Sequence, residues 1–283
     1  MLCIYHIADH DGKGSAAIVG RKFGEVEFFG LNHDMDVPWE AINRHQQIVI
    51  CDIALPLDVM FELNKSKDLT WIDHHASVIE AYDLAIAQGQ KEIKGIRKNG
   101  TAAIMLCWEY FFPDEAIPEG VKLLALNDLY DLRDKRVRPF EYAFQAMGVN
   151  KPADDNWTAL FDGKLDIDEM VKKGNAILSY IRNRNHRLCK AMSFESSYKG
   201  QKCICANMPQ GYSEFYDSIK NIKSYAFMCN FFMNAKNTWN LSLYTARDDV
   251  DVSKIAAEFG GGGHKKAAGA SGLKELPDFL LKK

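Results

Sequence analysis

Three short apolar segments near the N-terminus each end in acidic or histidine side chains, and this pattern restricts the fold more than any other feature. His6 and Asp9 follow the first segment, Asp52 follows another, and residues 73–75 (Asp-His-His) follow a third. Segments of helical character lie between them, which indicates a parallel sheet with both faces covered. Open α/β sheets bind ligands beyond the carboxyl ends of their strands. We therefore expect these side chains to meet at one edge of the sheet.

The chain has 283 residues, enough for two compact domains. We predict an α/β protein in three parts: a parallel-sheet domain over residues 1–150, a linker with one long helix over 151–190, and a smaller α/β domain over 191–283. The boundary is placed at the polar stretch 151–165, and the helix at 166–190.

The first motif combines His6, Asp9 and Asp11 with a glycine-containing turn. Carboxylates at alternate positions near a histidine suit a divalent ion such as Mn²⁺. Gly12 and Gly14 predict a tight turn from strand to helix. Residue 15, a serine at the start of that helix, would offer a donor to an anion. A simple Asp-Gly turn with helix caps is the alternative.

The other strand ends supply the remaining candidates. Asp52 taken alone reads as a helix cap, but beside the other strand ends it reads as a carboxylate that bridges two ions. Four of the chain's eight histidines lie in the first and third motifs. Two surface histidines in a loop are the alternative for His74 and His75. Either Asp128 or Asp131, near the end of a helical segment, would complete the ligand set.

Four consecutive glycines, residues 260–263, precede His264 and two lysines. Glycines let a backbone approach a ligand closely and expose N–H groups to a phosphate. Taken alone, the segment favours a flexible hinge with a basic flank, and it becomes a candidate substrate-binding loop if the first domain acts on a phosphoester.

Composition limits the partners and the compartment. The net charge is −3, with 23 Lys and Arg against 29 Asp and Glu in residues 1–190, so a general duplex-DNA binder is not expected. Seven cysteines without a CxxC pair are typical of reduced thiols in a cytoplasmic protein. We expect no signal peptide and no membrane span. The apolar segments around residues 103–112 and 121–132 suggest a homodimer.

In this order, the motifs HIADHDGKGSAA, CDIA, IDHH, NDLYDL and GGGGHKKAAG resemble those of the DHH phosphoesterase superfamily, in the form that carries a DHH-associated C-terminal domain. The matches span residues 6–269. The chain most resembles the nanoRNases, which are oligoribonuclease-type enzymes, and related phosphodiesterases of short oligonucleotides or cyclic nucleotides. RecJ-like exonucleases and family II pyrophosphatases are more distant.

The resemblance implies a role for each matched position. Asp73 would orient an imidazole and His75 would contact the scissile phosphate, while Gly262, Gly263 and His264 would hold the end of the substrate. Two Mn²⁺ ions, with Mg²⁺ or Co²⁺ as alternatives, would be held by six ligands: His6, Asp9, Asp11, Asp52, His74 and Asp128.

The implied activity is Mn²⁺-dependent hydrolysis of short single-stranded RNA or DNA, or of small cyclic nucleotides, by two-metal activation of water. Three alternatives remain at this stage: a single-strand-specific 5′–3′ exonuclease, a pyrophosphatase or nucleotide phosphatase, and a nucleotide sensor without catalysis.

Overall fold

The structure is a computed structural model that describes residues 1–33, 35–209 and 213–281. The chain forms two compact units, Met1–Leu178 and Ser179–Lys283. The first unit contains a parallel sheet with the strand order β2-β1-β3-β4. Its strands are β1 (Leu2–His6), β2 (Glu27–Leu31), β3 (Gln47–Cys51) and β4 (Asp68–Ile72).

Helices connect and cover these strands. Eight of them lie wholly within the first unit: α1 (His10–Phe23), α2 (Trp39–Arg44), α3 (Leu57–Ser66), α4 (Ala76–Ala87), α5 (Ala103–Phe111), α6 (Glu119–Asp128), α7 (Val137–Ala146) and α8 (Asp155–Phe161).

Burial on both faces explains why the sequence of β1 does not alternate between apolar and polar residues. Leu2 and Ile4 are buried in a core on one face of the sheet, and Cys3 and Tyr5 are buried in a second core on the other. Successive side chains of a strand point to opposite faces, so a strand with a core on each face must be apolar throughout. The predicted parallel sheet with both faces covered is confirmed.

Helix α9 (Ile167–Met192) corresponds to the predicted long helix. The first unit extends to Leu178 rather than ending at residue 150. Its extra length includes α8, whose Trp157, Leu160 and Phe161 are buried in the same core as Phe140. The 151–165 stretch is therefore polar in overall composition, although it contains a helix with one apolar face.

The apolar segments that suggested a dimer lie inside this unit. Ile104 and Trp108 of α5, and Val121 and Leu124 of α6, are all at most 2% exposed. They belong to one hydrophobic core, so they do not form a surface for a second copy.

The second unit is a six-stranded sheet with the order β5-β6-β7-β8-β10-β9, in which only the β6–β7 pair is parallel. Its elements are β5 (Ser193–Tyr198), β6 (Gln201–Asn207), β7 (Phe227–Met233), β8 (Trp239–Tyr244), α10 (Val252–Glu258), β9 (Gly262–Gly263) and β10 (Ala267–Leu273). A second, smaller α/β domain was predicted and is confirmed.

Two further expectations concern the chain as a whole. All seven cysteines are buried free thiols. No helix in the described part of the chain is long and apolar enough to cross a membrane.

Gly12 and Gly14 lie within α1 and not in a turn before it, so that prediction was wrong. They permit close packing instead. A Cβ atom on Gly12 would lie 2.1 Å from the carbonyl oxygen of His6, and one on Gly14 would lie 2.3 Å from Cδ1 of Ile104. The glycines therefore let α1 approach the end of β1 and helix α5.

We expect Gly14→Ala to lower the free energy of unfolding by about 1–3 kcal/mol, because the added methyl group overpacks the core against Ile104 and Trp157. Gly20→Ala in the same helix is the matched control, since its new Cβ meets only the ring tip of Phe28 at 3.0 Å. Urea unfolding of both variants measures the difference. Equal stability of the two variants would contradict this account of α1 packing.

Candidate metal centre

The residues of the first, second and third motifs converge at the carboxyl edge of the parallel sheet, with the last residue of α6 beside them. His6 ends β1, and Asp9 caps α1 by accepting a 3.1 Å hydrogen bond from the N–H of Gly12. The clustered side chains are His6, Asp9, Asp11, Asp52, His74, His75 and Asp128.

Asp52 lies at the middle of this cluster. Its Oδ2 is 3.4 Å from Nδ1 of His6, and its Oδ1 is 3.2 Å from Nε2 of His74. The two oxygens of one carboxylate therefore face two different groups of ligands. The backbone of Asp52 is left-handed, with φ at 59°, and its N–H donates to the carbonyl of Ile72. Aspartate adopts this conformation more readily than most residues other than glycine, and unusual backbone conformations concentrate at functional sites.

The first group consists of His6, Asp9 and Asp52. Nδ1 of His6 is 3.3 Å from Oδ2 of Asp9. Burial lowers the pKa of His6, but its contacts with Asp52 and Asp9 outweigh burial and raise the pKa to about 10. Burial also acts to raise the pKa of Asp9, whereas the contact with His6 and the charge of Lys13 lower it, with a net lowering.

The second group consists of Asp11, His74 and Asp128. Nε2 of His74 is 3.6 Å from Oδ2 of Asp11 and 3.5 Å from Oδ2 of Asp128. Helix α5 fixes Asp11, because the N–H groups of Ala103 and Ile104 donate to its carboxylate at 2.8 and 2.7 Å.

The alternative fourth-motif residue, Asp131, makes different contacts. Its carboxylate accepts from the guanidinium of Arg133 at 2.8 Å and belongs to none of the candidate ligand groups. The geometry thus joins Asp128, and not Asp131, to the cluster.

The carboxylates repel one another. Asp11 and Asp52 are 3% and 1% exposed. Burial raises the pKa of Asp11, Asp52 and Asp128, and nearby carboxylates raise it further. Several buried acids at one point are costly unless positive charge compensates them.

A divalent cation fits this arrangement. Within the residues that the structure describes, Nδ1 of His6 and Oδ1 of Asp52 are buried without a hydrogen-bond partner. Buried polar atoms are normally satisfied, so such orphans indicate a missing partner. The mixture of imidazole nitrogen and carboxylate oxygen is typical of Mn²⁺ and related ions.

Asp73 positions the adjacent histidines. It is fully buried, and its Oδ1 accepts from the N–H groups of His74 and His75 and contacts Nδ1 of His75 at 2.7 Å. Trp71 holds the other oxygen through its indole N–H at 3.2 Å. Burial lowers the pKa of His75, but the contact with Asp73 outweighs burial and raises it.

Sequence reasoning missed His33, which follows β2. Its ring centroid is 5.4 Å from that of His6 and 6.4 Å from that of His75. The signal was available, because His33 is another ligand-type residue at the end of a parallel strand. Ser15 was expected to face an anion, but it is fully buried.

The glycine segment lies in the second unit. Gly261 and Gly263 pack against β10, where a Cβ atom would lie 2.0 Å from the carbonyl oxygen of Gly269 and 2.7 Å from Cα of Ala268, respectively. At Gly262 a Cβ atom would have no described atom within 4 Å. Gly262, Gly263 and His264 are exposed.

Comparisons with known proteins agree with these features. The DHHA1 domain family model matches residues 205–283. The uncharacterized protein R106 of Acanthamoeba polyphaga mimivirus is 25% identical, over 98% of this chain and 69% of its own length. The oligoribonuclease NrnB of Bacillus subtilis is 24% identical, over 98% of this chain and 75% of its own. The C-terminal part of the chain therefore matches the DHHA1 domain, and the chain as a whole is similar to these two relatives.

A solved structure shares the fold of this chain. The pGpG-specific phosphodiesterase PggH of Vibrio cholerae superimposes with a TM-score of 0.51 over 96% of this chain and 93% of its own, at 11% identity. This similarity supports the α/β fold with its two sheets.

We expect Asp52→Asn to raise the thermal midpoint of the ion-free protein at neutral pH. The amide removes a buried carboxylate whose pKa the fold raises, and asparagine tolerates the left-handed backbone. The same variant should lose most of the stabilisation by Mn²⁺, which for one ion at a hundred times its Kd is about 2.7 kcal/mol.

Thermal unfolding in EDTA and in Mn²⁺ measures both effects. Asp131→Asn is the control and should keep the wild-type response to Mn²⁺. An undiminished Mn²⁺ shift in Asp52→Asn would show that Asp52 holds no ion.

Proposed function

We propose that this protein is a Mn²⁺-dependent phosphodiesterase of the DHH superfamily that hydrolyses short oligonucleotides or small nucleotides. The observation that carries the proposal is the Asp52 carboxylate, whose two oxygens face two separate groups of ligands. A carboxylate shared between two ions is the basis of a two-metal phosphoesterase site. Imidazole ligands beside carboxylates favour Mn²⁺ over Mg²⁺, which prefers oxygen ligands and water.

The cluster contains three overlapping groups of candidate ligands, one of them Asp52, His74 and His75, and we assign the ions to the other two. His6, Asp9 and Asp52 would hold one ion, and Asp11, His74 and Asp128 would hold the other with Asp52 shared. When bound, such ions neutralise phosphoryl oxygens and make a water molecule acidic enough to supply hydroxide near neutral pH.

The residues of this chain would prepare the site for that chemistry. Helix α5 fixes Asp11 through two backbone N–H groups, so one ligand is held before an ion arrives. The left-handed turn at Asp52 aims its carboxylate across the end of the sheet. Preorganised ligands reduce the reorganisation needed during reaction.

His75 is the proposed phosphate contact. Asp73 contacts Nδ1 of its ring at 2.7 Å, and 25% of the His75 side chain is exposed. The raised pKa of His75 favours the imidazolium, which can donate a hydrogen bond from Nε2 to a phosphoryl oxygen. Asp73 acts on the substrate only through His75 and is therefore a positioning residue.

The substrate class is inferred from the relatives. The Bacillus subtilis protein is named an oligoribonuclease, and the Vibrio cholerae protein a phosphodiesterase specific for pGpG. Both names describe short linear nucleotides. Gly262, Gly263 and His264 would bind the terminal phosphate or base of such a substrate.

We expect Asp128→Asn to reduce kcat for hydrolysis of the dinucleotide pApA in Mn²⁺ by at least about a hundredfold. Losing a metal ligand should reduce activity more than losing a residue that only supports a ligand. Asp131→Asn should retain activity within about threefold. The two aspartates lie three residues apart, so they form a matched pair. Comparable losses in both variants would refute the assignment of Asp128.

The same assay distinguishes the activity from its rivals. EDTA should abolish hydrolysis. A series from dinucleotide to 20-mer should favour the shortest substrates, whereas a single-strand exonuclease would favour long ones. Phosphate release from pyrophosphate as the dominant activity would instead identify a pyrophosphatase, and nucleotide binding without turnover would identify a sensor.

Gly262→Ala should preserve stability, because the new methyl group would have no described protein atom within 4 Å. It should raise KM for pApA by about tenfold, because the methyl group would obstruct a substrate that approaches the exposed backbone. Gly261→Ala is the structural comparison and should lower the thermal midpoint, since its Cβ would strike the carbonyl of Gly269. An unchanged KM for Gly262→Ala would argue against substrate binding at this segment.

A further inference from the structure

Helix α6 ends in a turn whose central residue has a left-handed backbone, a conformation that favours glycine. In this chain that residue is Tyr130. The N–H of Tyr130 donates to the carbonyl of Asn127 at 3.1 Å, and the N–H of Asp131 donates to that of Leu126 at 2.8 Å. These two bonds define the Schellman turn that closes many helices. Its central residue is left-handed, and φ of Tyr130 is 56°.

The chain uses glycine at this position elsewhere. After the C-terminal caps of α4, α7, α8 and α10 the next residue is a glycine with positive φ: Gly89, Gly148, Gly163 and Gly260. A bulky side chain in this conformation is rare, because its Cβ crowds the backbone. Tyr130 therefore costs stability that glycine would not.

The tyrosine ring does not recover this cost in the hydrophobic core. Tyr130 is 53% exposed and is not among the residues that pack against the core of the first unit. The guanidinium carbon of Arg138 lies 5.1 Å from the ring centroid, which is a cation–π distance. The arginine thus holds an exposed aromatic ring at a defined place on the surface.

The backbone of Tyr130 lies close to one residue of the candidate metal centre. Tyr130 follows Asp128 by two residues, so their Cα atoms are within about 7.6 Å. Asp128 belongs to the ligand group with His74 and Asp11. Proteins that bind single-stranded nucleic acids stack bases on aromatic side chains, with arginine adding cation–π interactions. A strained residue beside a reaction centre is a reason to look for a function.

We propose that Tyr130 is the surface on which a nucleobase of the substrate stacks, and that Arg138 positions its ring. The inference rests on the proposed function and assigns the substrate's base, not only its phosphate, to the first unit. Stacking is tolerant of base identity, since every base has a π-face. The site would accordingly accept short nucleotides of varied sequence.

The test compares Tyr130→Gly with the wild type, using pApA and an abasic analogue of pApA that keeps both sugars and phosphates. We expect the variant to have a higher thermal midpoint, because glycine suits the left-handed turn. KM for pApA should rise about tenfold or more, from the loss of one stacked base, with kcat within about threefold. KM for the abasic analogue should be the same in both proteins.

Two sets of variants complete the experiment. Tyr130→Phe and Tyr130→Trp should keep a low KM for pApA, whereas Tyr130→Asn, which also tolerates the turn, should behave like the glycine variant. Tyr180→Ala removes another exposed tyrosine, 65% exposed on α9, and should leave KM unchanged.

An unchanged KM for pApA in Tyr130→Gly, or an equal rise for the abasic analogue, would overturn the stacking role while leaving the phosphodiesterase intact. Absence of pApA hydrolysis by the wild type would instead reject the proposed function, and the base-stacking inference with it.

Discussion

Mutual repulsion among buried carboxylates is the constraint on which the first unit depends. The parallel sheet brings the ends of its strands to one edge, and the chain places acids there that raise one another's pKa. The surrounding structure must therefore be stable enough to hold them. Two cores, one on each face of the sheet, supply that stability. The cluster is consequently an unfavourable arrangement unless positive charge compensates it, which fits a candidate metal centre.

The clustering of the candidate ligands could largely be predicted from the sequence, because it follows from the order and direction of the strands. Once strands alternate with helices, the residues after each strand must share one edge, and His6, Asp52 and His74 were found by that rule alone. His33 obeys the same rule, although it was not among the predicted residues. The choice between Asp128 and Asp131 needed coordinates, because α6 ends at Asp128 and the left-handed residue Tyr130 changes the direction of the chain before Asp131.

Other features depended on packing that sequence patterns do not encode. Gly12 and Gly14 were interpreted as turn residues, but they allow close approach of α1 to β1 and α5. The polar stretch around Trp157 was interpreted as a boundary, although three of its side chains complete the core. In each case tertiary contacts overrode the local signal.

The two-sided burial of β1 has a consequence for how this protein can vary. Leu2 and Ile4 belong to one core and Cys3 and Tyr5 to the other, and the strand ends at His6. A change of volume on either face must be absorbed through the same five-residue strand. Compensating changes are therefore expected across the sheet, between residues that never touch. Substitutions in the two cores would therefore be correlated. A change of volume on one face that the other face does not compensate would displace His6 at the end of the strand.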